Sequence, residues 1–241
     1  MIGIQLYTVR NQLTTPSDAL NTLKKIKDIG YDAVQLFGGI ETIELMGDLA
    51  NKVGLKVIGA LINIDICENY TERLFKALKA CGAKDVGISG KETGDSAIKL
   101  VERANAFKKI AEDNGFTFSY HNHSHEYIRG ESGKRAIDYI IDDFNGDLMP
   151  DTYWLQHGGD DVIKFIKDNA KRIKIIHLKD MKRTPEGVTF AEIGIGNINI
   201  KGVIETAKQL GIDTLVVEQD ICEVDCLLSA KISIDNLKKI I

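Results

Sequence analysis

The stretch Arg172-Ile173-Lys174-Ile175-Ile176-His177-Leu178-Lys179-Asp180 decides how the chain is read. A short apolar run, Ile173 to Leu178, stops abruptly in His, Lys and Asp. Side chains alternate along a strand, so Ile175, His177 and Lys179 share one face while Ile176 and Leu178 take the other. A core strand has no structural need to finish in a metal-capable imidazole and an ammonium. Three other strand-like runs finish the same way: Tyr120-His121-Asn122-His123, Pro150-Asp151-Thr152-Tyr153-Trp154 and Val217-Glu218-Gln219-Asp220. The reading that joins them is that all four ends meet at one place and form a metal site.

Working outward, one unit recurs: an amphipathic helix, a glycine, then a short apolar strand. Gly30, Gly54, Gly82, Gly115 and Gly211 each precede such a strand. A glycine just past a helix supplies the left-handed position that a side chain makes costly. Helical stripes at 18–29, 71–78, 98–111 and 229–241 support the count. Strands are expected near 2–7, 32–37, 55–61, 85–89, 116–121, 147–151, 173–178 and 214–219, each followed by a helix. Strict alternation implies a parallel sheet, and eight units in about 250 residues is the size of a closed (β/α)8 TIM barrel. An open doubly wound sheet usually carries a glycine-rich turn after its first strand; here Leu6 is followed by Tyr7-Thr8-Val9-Arg10. With no linker or low-complexity stretch, residues 1–241 are read as one domain.

Composition narrows the partners. Hydrophobic residues at 44% and charged residues at 27% are ordinary globular values. The net charge of −4 and the lack of any Lys/Arg run longer than two argue against nucleic acid as a partner. No apolar run approaches the roughly 20 residues of a membrane span, and the N-terminus has no signal-like pattern, so a cytoplasmic location is expected. The cysteines at 67, 81, 222 and 226 read as isolated reduced thiols.

In a barrel the site lies at the C-terminal strand ends. In chain order these carry Gln5 and Tyr7, Gln35 and Phe37, Asn63, Ser89, His121 and His123, Asp151 and Trp154, His177 and Lys179, Glu218 and Asp220. The last four strands supply imidazole, carboxylate, imidazole and carboxylate. Such mixed N/O donors suit Mn, Zn, Co or Fe better than Mg. Taken singly, each has a plainer explanation: His177 as a core histidine, Asp151 as a helix cap, Glu218 as a solvated strand end. Their occurrence on consecutive strand ends favours the site.

Five motifs carry a family resemblance: Gly3-Ile4-Gln5-Leu6-Tyr7-Thr8-Val9-Arg10; Tyr120-His121-Asn122-His123 with Glu126; Asp151-Thr152-Tyr153-Trp154 with Gly158-Gly159; His177-Leu178-Lys179-Asp180; and Val217-Glu218-Gln219-Asp220. In this order they closely resemble the sugar phosphate isomerase/epimerase family of xylose-isomerase-like TIM barrels. The resemblance implies a divalent metal held by His121, Asp151, His177 and Glu218, with His123 the competitor for the strand-five place. It implies a small carbohydrate substrate and proton abstraction alpha to a carbonyl, through a metal-stabilised enediolate. Glu218 is the first choice of base, with Lys179 or a strand-five histidine (His123) as proton partner. Gln5, Tyr7, Gln35, Phe37, Glu126 and Trp154 are expected to meet the substrate, Phe37 and Trp154 as apolar faces.

Three departures matter. Many relatives carry an acid where this chain has Gln35, a glutamate at the place of Ile195, and a glutamate at the strand-five ligand position. The shortage of a second carboxylate raises a lyase or dehydratase on the same metal site, eliminating from a keto-sugar or keto-glycoside, as the rival. More distant rivals are an abasic-site nuclease and a barrel without catalysis. Gly194 and Gly196 lie where barrels often bind phosphate, but a plain turn before Asn197 is expected. Barrels of this kind often pair, so a homo-oligomer is admitted.

Overall fold

The computed structural model describes all 241 residues. Eight parallel strands form the barrel wall: β1 (Ile2–Gln5), β2 (Ala33–Phe37), β3 (Lys56–Ile62), β4 (Asp85–Ile88), β5 (Thr117–His121), β6 (Asp147–Met149), β7 (Ile175–Leu178) and β10 (Thr214–Val217). Two more, β8 (Asp180–Thr184) and β9 (Gly187–Ala191), stand apart from it. The hydrogen-bonded order of the wall is β6-β5-β4-β3-β2-β1-β10-β7. The seam between β6 and β7 closes through single bridges, Leu148 with Ile173 and Asp151 with His177. At its lower end Arg172 pins the seam, donating to the carbonyls of Ile141, Phe144 and Gly146. The expected strand centres match; the ends differ by a few residues, because Leu6–Gln12 turns into a 3-10 helix and β6 stops at Met149.

Helices α1 (Pro16–Ile29), α2 (Ile40–Val53), α3 (Ile64–Asn69), α4 (Thr71–Ala80), α5 (Ala97–Asp113), α6 (Ala136–Asp143), α7 (Thr152–His157), α8 (Val162–Asp168), α9 (Ile200–Gln209) and α10 (Cys226–Ile240) surround the wall. The first of them shows the local logic. Thr15 caps its N-terminus, Pro16 occupies a first-turn position where no N–H is needed, and Gly30 ends it at φ 107°. Leu23 and Ile26 are fully buried from its inner face.

One expectation needs correcting. β7 is not followed directly by a helix: the antiparallel hairpin of β8 and β9 intervenes before α9. The turn residues Pro185-Glu186-Gly187 announce it, with Gly187 at φ 135°. Asp180 at its root is fully buried and accepts from the backbone N–H of Met181, Gly194, Gly196 and Ile198 at 2.8–3.1 Å.

The apolar core is divided unequally. Sixty buried residues fill the layer between strands and helices, whereas Ala33, Ile58, Met149, Ile175 and Val216 form a separate small cluster inside the barrel. The inner layer is kept thin by small residues; a Cβ at Gly3 would collide with Ile58. Above that cluster the inward positions turn polar, and the register holds them at one level. Gln5 lies opposite Gln35, and His177 lies opposite both Val216 and Asp151. No helix is long and apolar enough to cross a membrane.

Candidate metal centre

Alternation from Ile175 and Val216 brings His177, Lys179, Glu218 and Asp220 to the inner face at the C-terminal mouth, as β5 and β6 do for His121 and Asp151. The donor atoms of His121, Asp151, His177 and Glu218 lie within 4.8 Å of one another, and all four residues are buried. His177 Nδ1 is 2.8 Å from Glu218 Oε2. His121 Nε2 is 3.8 Å from Asp151 Oδ2 and 4.0 Å from Glu218 Oε2. Ligand bonds of about 2.1 Å allow donor atoms on one ion to stand up to about 4.2 Å apart, and these three distances lie inside that limit. His121 Nδ1 has no hydrogen-bond partner, which is costly for a buried polar atom; Asp151 Oδ2 is met by the Lys179 ammonium.

The orientation of His177 can be traced from a fixed backbone group. The Tyr7 N–H donates to Gln5 Oε1 at 3.1 Å, so the other end of that amide is a donor. Gln5 Nε2 donates to Gln35 Oε1 at 2.8 Å, and His177 Nε2 approaches the same oxygen at 2.8 Å. Only a protonated Nε2 can satisfy that oxygen, which directs Nδ1 toward the cluster. Asp151 divides its two oxygens. Oδ1 caps α7, accepting from Tyr153 and Trp154 N–H, while Oδ2 faces the other donor atoms. The helix-cap reading and the site reading thus describe the two oxygens of one side chain.

Lys179, 1% exposed, places its ammonium 2.8 Å from Asp151 Oδ2, 3.1 Å from Glu218 Oε2 and 3.1 Å from Asp220 Oδ1. Burial alone would discharge it, but the three carboxylates outweigh burial and hold the proton on. Burial also opposes the charge on Glu218, yet the Lys179 ammonium holds its carboxyl well below the usual range. For Asp151 burial outweighs the neighbouring Lys179, the Glu218 charge adds to the rise, and the carboxyl is pushed up to about 6. Burial, then His177 and His123, keeps His121 well below the ordinary imidazole value and therefore neutral, the form that binds metals.

Above the cluster lies a cavity of about 530 Å³ whose wall includes Gln5, Tyr7, Phe37, His121, His123, Glu218 and Asp220. Glu218 reaches it with Oε2 engaged by His177 and Lys179. Tyr7 and Phe37, also on its wall, meet edge to face at 5.4 Å. His123 reaches the wall but is not among the four clustered donors; with His125 and Glu126 it forms a second group. Burial, then Lys179, brings its pKa down to about 3.

The remaining expected residues are placed differently. Gln35 is fully buried under the cavity floor, against His177. Glu126 is also fully buried, accepting from Tyr120 Oη and the His123 N–H, and burial raises it to about 7. Trp154 stands beside the cavity, 5.5 Å from the His123 ring and 5.3 Å from the Lys179 ammonium. Asp220 had no assigned role, although alternation from Glu218 aims it inward. The backbone amides near Gly194 and Gly196 are occupied by the Asp180 carboxylate, which leaves no ready phosphate cradle in that loop.

Comparison with known proteins agrees with this architecture. Residues 23–231 match the family model described as xylose isomerase-like TIM barrel, and the chain belongs to that family. No curated protein sequence matches the chain. Among solved structures it is similar to a sugar phosphate isomerase/epimerase from Parabacteroides distasonis ATCC 8503, with 20% identity, a TM-score of 0.79, and 99% and 97% of the two chains covered. It is similar to the D-allulose 3-epimerase of Methylomonas sp., with 13% identity, TM-score 0.76, and coverage of 100% and 97%. It also resembles the 3-keto-D-glucoside 4-epimerase of E. coli, with 18% identity, TM-score 0.74, and coverage of 99% and 98%. At these identities the likeness is one of fold.

Proposed function

We propose that the protein is a divalent-metal-dependent sugar isomerase or epimerase that moves a proton alpha to a carbonyl. One observation carries this reading: four buried donors of metal-ligand type converge beneath a cavity large enough for a sugar. The names of two similar structures, a D-allulose 3-epimerase and a 3-keto-D-glucoside 4-epimerase, support a carbohydrate substrate. Mixed nitrogen and oxygen donors favour Mn, Co, Zn or Fe over Mg. Such an ion, held by His121, Asp151, His177 and Glu218, supplies Lewis-acid polarisation of the substrate carbonyl.

The chain's own groups supply the rest. Glu218 borders the cavity, and its Oε1 takes the C–H proton while Oε2 faces the other donor atoms of the cluster. The Lys179 ammonium stabilises the negative charge that develops on the substrate oxygen. His123, neutral and exposed to the cavity, relays the returning proton, giving up its ring N–H as its other nitrogen takes a proton from solvent. Tyr7 and Phe37 offer apolar faces to the sugar. The filled amide loop at Asp180 favours an unphosphorylated sugar.

A lyase remains the second reading on one specific observation. Besides Glu218 the only carboxylate on the cavity wall is Asp220, and that one is tied to Lys179. Incubation with ketoses and 3-keto-glycosides in D2O, with Mn²⁺ or Co²⁺, separates the two by NMR. Solvent deuterium entering an intact, isomerised sugar is the expected result. An unsaturated or cleaved product would replace isomerisation with elimination, and no turnover across the panel would count against both.

A further inference from the structure

We propose that Lys179 and the divalent ion compete for the same two oxygens, and that Asp220 is the carboxylate to which the ammonium withdraws when the ion enters. The inference rests on the metal reading above and concerns how the chain controls access to that site. Asp151 can offer an ion only Oδ2, because Oδ1 is committed to the N–H groups of Tyr153 and Trp154. That one available oxygen is 2.8 Å from the Lys179 ammonium. The same ammonium is 3.1 Å from Glu218 Oε2, the oxygen that also faces His177 and His121. The cation therefore sits on ligand atoms, not merely near them.

The direction of withdrawal is also visible. The Lys179 main chain is fixed on both sides by Thr152 Oγ1, which accepts from its N–H at 2.9 Å and donates to its carbonyl at 2.7 Å. Only the side chain is free to adjust. It touches one oxygen each of Asp151 and Glu218, whereas it meets both oxygens of Asp220, Oδ1 at 3.1 Å and Oδ2 at 3.3 Å. Asp220 stands at the cavity wall and is the most open of the three carboxylates, with 19% of its side chain exposed. Charge balance allows both cations to stay. Asp151, Glu218 and Asp220 with Lys179 leave two uncompensated negative charges, which a divalent ion neutralises without expelling the ammonium.

Calorimetric titration of the metal-stripped full chain with Mn²⁺ tests this across wild type, Lys179→Met, Asp220→Asn and the double variant. Removing the ammonium should tighten Mn²⁺ binding about tenfold or more, and Asp220→Asn should weaken it by about tenfold. In the Lys179→Met background the Asp220→Asn effect should shrink to about threefold or less, since there is no ammonium left to receive. Should Lys179→Met fail to fold, the neutral Lys179→Gln variant takes its place, with thermal melting in chelator confirming the fold. Equal or weaker binding on loss of the ammonium, or an Asp220→Asn effect of the same size in both backgrounds, overturns the proposal. Wild type that binds Mn²⁺ while these variants behave otherwise sinks this inference alone; wild type that binds no divalent ion removes the metal reading as well.

Discussion

The two ends of the barrel each bury a carboxylate, and they treat it in opposite ways. At the N-terminal end Asp85 is held by neutral donors, Thr117 Oγ1 and Ser119 Oγ, each at 2.7 Å. Burial dominates, the hydroxyls compensate only in part, and the carboxyl is pushed up to about 6. At the C-terminal end Glu218 is equally deprived of water but meets an ammonium and an imidazole, and it stays ionised well below the usual range. Burial raises the cost of charge in both places; the Lys179 ammonium outweighs it at Glu218, whereas Asp151 beside them is pushed up to about 6, as Asp85 is. An end that gathers three carboxylates around one lysine concentrates acidic groups for something to use. The other end has accommodated a single acid.

The largest expected effect breaks the C-terminal side of this contrast. Glu218→Gln keeps the volume but removes the proposed base, and sugar turnover should fall by about a thousandfold or more, about 4 kcal/mol in the barrier. Steady-state kinetics with any sugar that proves to be a substrate measures it; activity within tenfold of wild type would remove Glu218 from the chemistry.

The second prediction addresses Asp85. Its folded pKa of about 6 exceeds the ordinary value near 3.8, so the folded state binds the proton more tightly than the unfolded chain. This contribution is greatest below about pH 4 and is lost as the pH rises through about 6, up to about 3 kcal/mol in all. Urea unfolding at pH 4.5 and pH 7 should show that Asp85→Asn removes this decline relative to wild type. Parallel pH profiles for the two proteins would contradict it.

Third, Gln35→Leu leaves His177 without its Nε2 acceptor. Outer-shell losses of this kind cost about 10- to 100-fold in metal affinity, and Mn²⁺ titration should show a loss in that range. Unchanged affinity would make Gln35 a mere filler. The smallest effect is expected at Asp180→Asn, which keeps one acceptor oxygen and gives up the other. About 1–2 kcal/mol of stability should go, read by urea unfolding, with Mn²⁺ affinity within about threefold of wild type. A large change in metal affinity would tie the hairpin root to the site.

Much of this was legible in the sequence because the barrel expresses it in periodicities. The glycines that precede five of the strands and the inward alternation of His177, Lys179, Glu218 and Asp220 follow from local backbone rules. What escaped was set by partners distant in the chain. Gln35 was expected to meet the substrate, and nothing local says that it lies under the floor; its role depends on Gln5 and His177, 30 and 142 positions away. The 180–191 hairpin was hidden because its strands pair only with each other, outside the βα rhythm. Asp220 carried a usable signal, two residues beyond Glu218 on the same face, but its role appears only when Lys179 is seen beside it.

The central claim is that His121, Asp151, His177 and Glu218 hold one divalent ion, and equilibrium dialysis of wild type beside His177→Ala tests it most directly. With Mn²⁺ or Co²⁺, wild type should bind one ion per chain, and the variant should lose at least about 100-fold in affinity while its circular dichroism stays that of a folded barrel. Equal metal content in the two folded proteins would contradict the assignment.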